Sequence, residues 1–264
     1  MLASNSAPFG PRGFCVLTIN IHKGFSSLNR RFVLPALRDA MRAVGADVVL
    51  LQEVHGRHAG HGARVADWPN APHYEFLADT VWHQHAYGRN AVYTEGDHGN
   101  AVLSKFPIVR WHNHEMPHDR PHEGATPAPE ARGLLHCVLD LPGQPQVHVI
   151  CVHLGLRERD RQQQIRRLGA VMDQQVPEGA PLIVAGDFND WRGLAHAPLM
   201  KLGLREVHAK LPGGMPRTFP ARLPLLRLDR IYVRGMRRQA PLRLPRRPWA
   251  HLSDHAPLAA QLEP

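Results

Sequence analysis

The run Gly186-Asp187-Phe188-Asn189-Asp190 sets a carboxylate and an amide two residues apart, directly after the apolar stretch 181–185. That stretch reads as a buried strand. At strand spacing the Asp187 and Asn189 side chains point the same way. Together they offer hard oxygen acceptors and an amide donor, a pair able to polarise a water or grip a phosphate oxygen. Ser253-Asp254-His255, near the C-terminus, adds a carboxylate and an imidazole. Groups so far apart act together only if folding gathers them, and the chemistry they share is metal-assisted hydrolysis.

Apolar patterning supplies the elements that must hold these groups. Strands are read at 14–19, 47–51, 100–104, 134–139, 147–152, 181–185, 228–233 and 256–262, with a short one at 73–77. Helices are read at 31–44, with Pro35 near the first turn and Gly45 as the stop, at 157–175 and near 194–202. Asn20, Glu53, His153 and Asp187 each fall just past an apolar strand. Asp229 begins one, and Asp254 just precedes another. Polar groups collected at strand ends make a site along one edge of a sheet layer. Mixed strands with few helices predict a two-layer sheet core flanked by helices, not an alternating barrel. The segment 111–132, with several prolines and His112, His114, His118 and His122, reads as a long exposed loop. A transition-metal regulator built on that tract is a minor alternative.

The chain has 264 residues, 43% of them hydrophobic, which suits one domain over 14–264 behind an N-terminal extension, 1–13. No apolar stretch approaches the ~20 residues a membrane span needs. The first twelve residues lack an apolar core of signal-peptide length, so a cytoplasmic protein is expected. Cys15, Cys137 and Cys151 lie in apolar runs and read as reduced core residues. Lys and Arg number 32 against 23 Asp and Glu, a net +9 that favours polyanionic partners: nucleic acid or an anionic lipid surface. The positive charge gathers late, from Arg217 and Arg222 to Arg246 and Arg247. No obligate protein partner is indicated.

Seven motifs then fall in one order: Thr18-Ile19-Asn20-Ile21-His22, Leu51-Gln52-Glu53-Val54, Gly99-Asn100-Ala101-Val102-Leu103-Ser104, Val152-His153-Leu154, Gly186-Asp187-Phe188-Asn189, Leu228-Asp229-Arg230-Ile231 and Ser253-Asp254-His255. Each is weak alone. The ordered set, spanning roughly residues 14 to 262, resembles the endonuclease/exonuclease/phosphatase superfamily, and within it a bacterial branch. Members include DNase I, abasic-site endonucleases, neutral sphingomyelinases and inositol polyphosphate 5-phosphatases. The resemblance implies a four-layer α/β sandwich, two packed mixed β-sheets flanked by helices, with the site at one end.

It also implies roles. Glu53 resembles the divalent-metal ligand, with Asn20 beside it and Asp254 as a second metal-side carboxylate. Mg²⁺, with Mn²⁺ as substitute, suits such few, hard oxygen ligands. Asp187 and Asn189 resemble the pair that handles the attacking water and a phosphate oxygen. His255 resembles the essential histidine, as base or transition-state stabiliser, with Asp229 as its carboxylate partner. His153 resembles a histidine of DNase I, sphingomyelinases and phosphoinositide phosphatases that abasic-site endonucleases lack, placed to protonate the leaving oxygen. No carboxylate partner for it is evident in the sequence. Arg132 resembles a phosphate-contacting arginine, and Asn100 supplements that grip.

A Mg²⁺-dependent phosphodiesterase acting on nucleic acid is the expected function. Trp82, Tyr87, Tyr93 and Trp111 are read as lying in or near loops, where they either stack on bases or pack the rim. The alternative is a phospholipid or inositol-phosphate hydrolase peripheral to the anionic inner membrane. Its one exposed-looking apolar candidate is Leu223-Pro224-Leu225-Leu226. A non-catalytic module that kept the fold is disfavoured, because all the ligand-type residues survive.

Overall fold

The computed structural model describes residues 13–62, 64–116 and 131–264. β1 (Phe14–Asn20) leads through two short 3-10 turns into α1 (Leu34–Val44), which Gly45 ends at φ +70° with its N–H on the Arg42 carbonyl. β2 (Val48–His58) runs into α2 (Ala59–Gly62), and α3 (His73–Ala78) precedes β3 (Gln84–Tyr93) and β4 (Gly96–Ser104). β5 (Ile108–Glu115), β6 (Gly133–Leu139), β7 (Val147–His153), α4 (Glu158–Gln175) and β8 (Leu182–Asp187) follow. α5 (His196–Lys201), β9 (Arg205–Glu206), β10 (Asp229–Arg234), β11 (Arg238–Leu242) and β12 (Leu258–Glu263) complete the order.

The strands form two six-stranded mixed sheets, in the orders β11-β12-β1-β2-β4-β3 and β5-β6-β7-β8-β10-β9. The pairs β1/β2 and β7/β8 are parallel, so four strands end at one end of the sheets. Alternation along each strand divides the apolar residues between two faces. Val16, Leu50, Val102, Cys137, Val149, Ile183 and Ile231 fill the space between the sheets. Leu17, Ile19, Val49 and Leu103 face outward beneath α1 and α3 with Leu37, Met41 and Leu77. Ile150, Val152 and Val184 face the other way beneath α4 with Leu168 and Met172. Each sheet thus buries both faces, giving the expected four-layer α/β sandwich. The three cysteines are buried and free. No helix among the described residues is long and apolar enough to cross a membrane.

Four sequence expectations change. Residues 73–77 are not a strand but the first residues of α3, whose His73 and Leu77 share the buried face at i, i+4 spacing. Residues 111–115 are not loop but the end of β5, a largely polar edge strand that apolar periodicity does not reveal. His118 and His122 lie outside the described residues, as do 1–12 of the N-terminal extension. Trp82 is no base-stacking platform: it is 1% exposed, with its indole N–H on the Ala46 carbonyl. Tyr87 is on β3 with its hydroxyl held by Asp97, whereas Tyr93 and Trp111 are exposed.

Candidate active site

Asn20 ends β1 in one sheet and Asp187 ends β8 in the other, and Asn20 Nδ2 donates to Asp187 Oδ2 at 3.2 Å. The same amide donates to Glu53 Oε1 at 3.1 Å. A backbone device aims Glu53. Leu51 pairs with Ala101 and Val54 with Gly99, so β2 carries one residue more than β4 over this stretch. This is a bulge, and Glu53 sits in it at φ +54°. The strand expected to stop at Glu53 therefore continues to His58, and the bulge turns the carboxylate toward the neighbouring sheet.

In the second sheet the register sets out a row. His153 on β7 lies beside Asp187 on β8, and Asp187 lies opposite Asp229 on β10. The strands approach closely because Gly186 takes φ +144°, where an added Cβ would stand 2.0 Å from the Val152 carbonyl oxygen. Asp187 Oδ1 accepts the Asn189 backbone N–H at 2.9 Å, while Asn189, at φ +49°, donates its own amide to the Leu154 carbonyl at 2.9 Å. His255 arrives from the far end of the chain, its Nδ1 2.8 Å from Asp229 Oδ2 and its Nε2 3.8 Å from Asp187 Oδ2. His153 Nε2 lies on the other side of the same oxygen at 3.5 Å, and 3.9 Å from Glu53 Oε1. Arg132 closes that flank, 2.9 Å from His153 Nδ1.

The charges do not balance evenly. Burial would lower the His255 pKa, but the charges of Asp229 and Asp187 and the Asp229 hydrogen bond override it and raise the imidazole to about 10. His153 goes the other way: burial, then the Arg132 charge, hold it well below the usual histidine range. Burial raises Asp187 above the ordinary carboxylate range; His255 opposes that shift and Asp229 adds to it. The site thus pairs a cationic imidazole with a neutral one, on opposite sides of a single carboxylate.

Two sequence candidates are placed differently from the rest. Asn100 is fully buried and spends its amide on the carbonyls of Gly133 at 2.9 Å and Cys151 at 3.5 Å. It fixes the backbone next to Arg132 and has no surface for a phosphate, which corrects the expected grip. Asp254 is partly exposed and contacts Ser253 Oγ at 3.3 Å and His22 Nε2 at 3.8 Å, not Glu53. Two buried hydroxyls escaped the sequence reading. Ser253 Oγ donates to the Asn20 carbonyl at 2.7 Å, and Thr218 Oγ1 accepts the Leu228 and Asp229 backbone N–H groups. Ser253 stood in a quoted motif, but nothing local marks Thr218, whose partners lie ten and eleven residues on.

Oxygen donors for a cation are present. Glu53 Oε2 has no polar partner among the described residues, and its side chain is 20% exposed, so water reaches it. Asn20 Oδ1 takes only the His22 backbone N–H, at 3.0 Å. Asp187, Asp229 and His255 also bring ligand-type atoms within 4.8 Å of one another. In that trio His255 Nδ1 is committed to Asp229, while Asp229 Oδ1 is buried without a hydrogen-bond partner; Glu53 with Asn20 offers the hydrated oxygen donors that a hard ion takes.

The endonuclease/exonuclease/phosphatase family model matches residues 17–255. The chain belongs to this family. Its similarity to the Escherichia coli K12 protein named "Uncharacterized protein YbhP" is 54% identity over 251 residues, covering 94% of this chain and 96% of that one. Among solved structures, the endonuclease/exonuclease/phosphatase from Beutenbergia cavernae DSM 12333 superposes with a TM-score of 0.75 at 22% identity, covering 96% of this chain and 72% of that one. D. rerio TDP2 complexed with single-strand DNA product superposes with a TM-score of 0.62 at 19% identity, covering 96% and 99%. Family membership supports phosphoester hydrolysis by the chain, and the fold gathers the strand-end cluster where the two sheets end.

Proposed function

We propose that this protein is a divalent-metal-dependent phosphodiesterase that cuts nucleic acid. The observation that carries the reading is the line Asp229–His255–Asp187 meeting Asn20 and Glu53 where the two sheets end. The arginine-rich stretch 217–247 and the single-strand DNA product held by TDP2 support the choice of substrate.

Asp187, fixed through both oxygens, orients the attacking water and accepts its proton; burial, by raising its basicity, suits it to that task. His255, held by Asp229, presents a charged Nε2–H to a phosphoryl oxygen and stabilises the charge that builds there. His153 donates a neutral Nε2–H from the other side, acting as a hydrogen-bond donor; its low pKa makes it a poor proton source for the leaving oxygen. Asn189 helps fix the Asp187 carboxylate. Glu53, with Asn20, would hold Mg²⁺ or Mn²⁺, and when bound such an ion neutralises charge on the phosphoryl oxygens. Asp254, partly exposed, would reach it through water.

The phospholipid reading is favoured by one feature. Leu223, Leu225 and Leu226 are 67%, 56% and 38% exposed, in a loop whose Phe219 ring lies 5.0 Å from that of His255. A substrate panel decides: plasmid DNA, RNA, sphingomyelin, phosphatidylinositol phosphates and bis-p-nitrophenyl phosphate, with Mg²⁺ or chelator. Nucleic acid cleavage is expected, lost on chelation and restored by Mg²⁺ or Mn²⁺, with Glu53→Gln needing at least ~10-fold more ion. Turnover of lipids alone would overturn the nuclease reading. Turnover of nothing with any divalent ion would overturn the hydrolase reading.

A further inference from the structure

Six arginines of the 217–247 stretch line two recesses that flank the loop 219–226. The larger, about 610 Å³, is walled by Leu211, Met215, Leu242 and Leu244, and its Arg227 is spent on the carbonyls of Met215 and Gly213. The smaller, about 260 Å³, is lined by Arg222, Arg246, Arg247, Ala250 and His251. Its arginines differ from those that the fold pairs with acids. Arg38, Arg161, Arg230 and Arg238 each meet a carboxylate. Arg222, Arg246 and Arg247 meet none among the described residues, and Arg246 donates instead to the Arg222 carbonyl. Three guanidinium groups around one small recess repel one another and lack an internal counter-charge. An anion would supply it, and the planar fork of the guanidinium matches phosphate oxygens in pairs.

The recess is joined to the reaction centre from both sides. The Ala221 backbone N–H, one residue before Arg222, donates to the Asp254 carbonyl at 2.7 Å. Ala250 and His251 belong to the 3-10 turn Trp249–His251, which leads directly into Ser253, Asp254 and His255. An anion seated there is therefore next to the segment that carries His255, but outside the cluster formed by Asp187, His153 and Glu53.

We propose that this recess is a subsite for a non-scissile phosphate of the strand being cut. The inference rests on the nuclease reading above, because a nucleic acid strand carries further phosphates beside the one attacked, whereas a simple diester carries none. The subsite adds ground-state affinity and register, so its loss acts on KM rather than on kcat.

The test compares wild type with Arg246→Ala/Arg247→Ala on a 12-nucleotide single strand and on bis-p-nitrophenyl phosphate, which has one phosphate. A charge control, Arg166→Ala/Arg205→Ala, removes the same charge from exposed positions on α4 and β9. The recess variant is expected to raise KM for the oligonucleotide at least ~10-fold. Its preference for oligonucleotide over the small diester should fall by a similar factor. The slope of log KM against log salt should drop by about 0.7 per lost contact. The charge control should keep the wild-type preference. Unchanged oligonucleotide KM, equal losses on both substrates, or the same loss in the charge control would each overturn the subsite while leaving the nuclease reading standing. Wild type that hydrolyses the small diester but no oligonucleotide would overturn the nuclease reading, and the subsite with it.

Discussion

Arg132 stands 2.9 Å from Nδ1 of His153, and a guanidinium can only donate, so that ring nitrogen is the acceptor and the proton sits on Nε2. The Nε2–H then faces Asp187 Oδ2 at 3.5 Å and Glu53 Oε1 at 3.9 Å. The arginine thereby fixes the tautomer, and after burial it is the next cause that keeps the imidazole neutral. Arg132→Ala removes the constraint and the second-largest cause of the lowered His153 pKa. The expected result is a kcat loss of about 10- to 100-fold and a His153 pKa that rises, read from ring ¹⁵N shifts across a pH titration. Ring shifts identical to wild type would show that Arg132 does not set the tautomer.

Asp229 and His255 fix the alkaline side of the pH profile. The folded-state pKa of His255 is raised to about 10, chiefly by Asp229 and Asp187 working against burial. A raised imidazole contributes stability that is complete below its unfolded value, about 6.5, and is lost as pH rises through the folded value. The cationic form that stabilises the transition state follows the same limb. Asp229→Asn removes the largest raising charge, so the alkaline limb of kcat should move toward neutrality, and kcat at pH 8 should fall at least ~10²-fold. His255→Ala should lose a similar factor with no alkaline limb left to shift. An alkaline limb that stays in place in Asp229→Asn would separate it from His255.

What the sequence revealed and what it hid follow from how far each interaction reaches. Glu53, His153 and Asp187 were legible because apolar runs point to strand ends, and strand ends are where such groups collect. The bulge at Glu53 was not, because it exists only in the register of β2 against β4. The polar edge strand β5 was hidden because one apolar face with scattered histidines does not alternate cleanly, and β11 because it carries Pro241. Asn100 misled because its motif placed it near the site without showing that its side chain is fully buried, with the amide nitrogen spent on backbone carbonyls. The carboxylates near His153 come from β2 and β8, too distant in sequence for any local pattern to join them to it.

Arg230, the residue after Asp229, turns away from it: it is buried against Asp190, at 3.1 Å, with both side chains at most 1% exposed. Asp190 also accepts the backbone N–H groups of Leu194 and Ala195, capping the segment after the Gly186-to-Asn189 turn. Removing the carboxylate leaves a guanidinium buried without its charge partner. Asp190→Ala should therefore cost about 3–5 kcal/mol in urea denaturation. Asp190→Asn keeps part of the cap and should cost less. If Asp190→Ala unfolds at the wild-type urea midpoint, the pair is not structural.

On the outer face of the second sheet a ladder of histidines sets the acid limit of the fold. His112 lies opposite His136 in register, and His136 Nε2 is 2.9 Å from His148 Nδ1, a contact that holds one proton between two rings. Burial, then His148, His114, Arg110 and His112, lower His136 to about 4. Burial, then Arg110 and Arg234, lower His148; burial, then His112 and Arg167, lower His114 to about 4. A lowered imidazole contributes stability that is full above its unfolded value, about 6.5, and disappears as pH falls through the folded one, because folding then excludes protons the open chain binds. Between pH 7 and pH 4 the protein should lose stability steeply, on the order of 1–3 kcal/mol for His136 alone at 1.36 kcal/mol per unit. His136→Leu, which places an aliphatic side chain between Leu134 and Val138 on β6, removes that proton linkage. Its urea midpoint should depend less on pH than that of wild type, with the two curves diverging below pH 6. Parallel curves down to pH 4 would assign the acid limit to other groups.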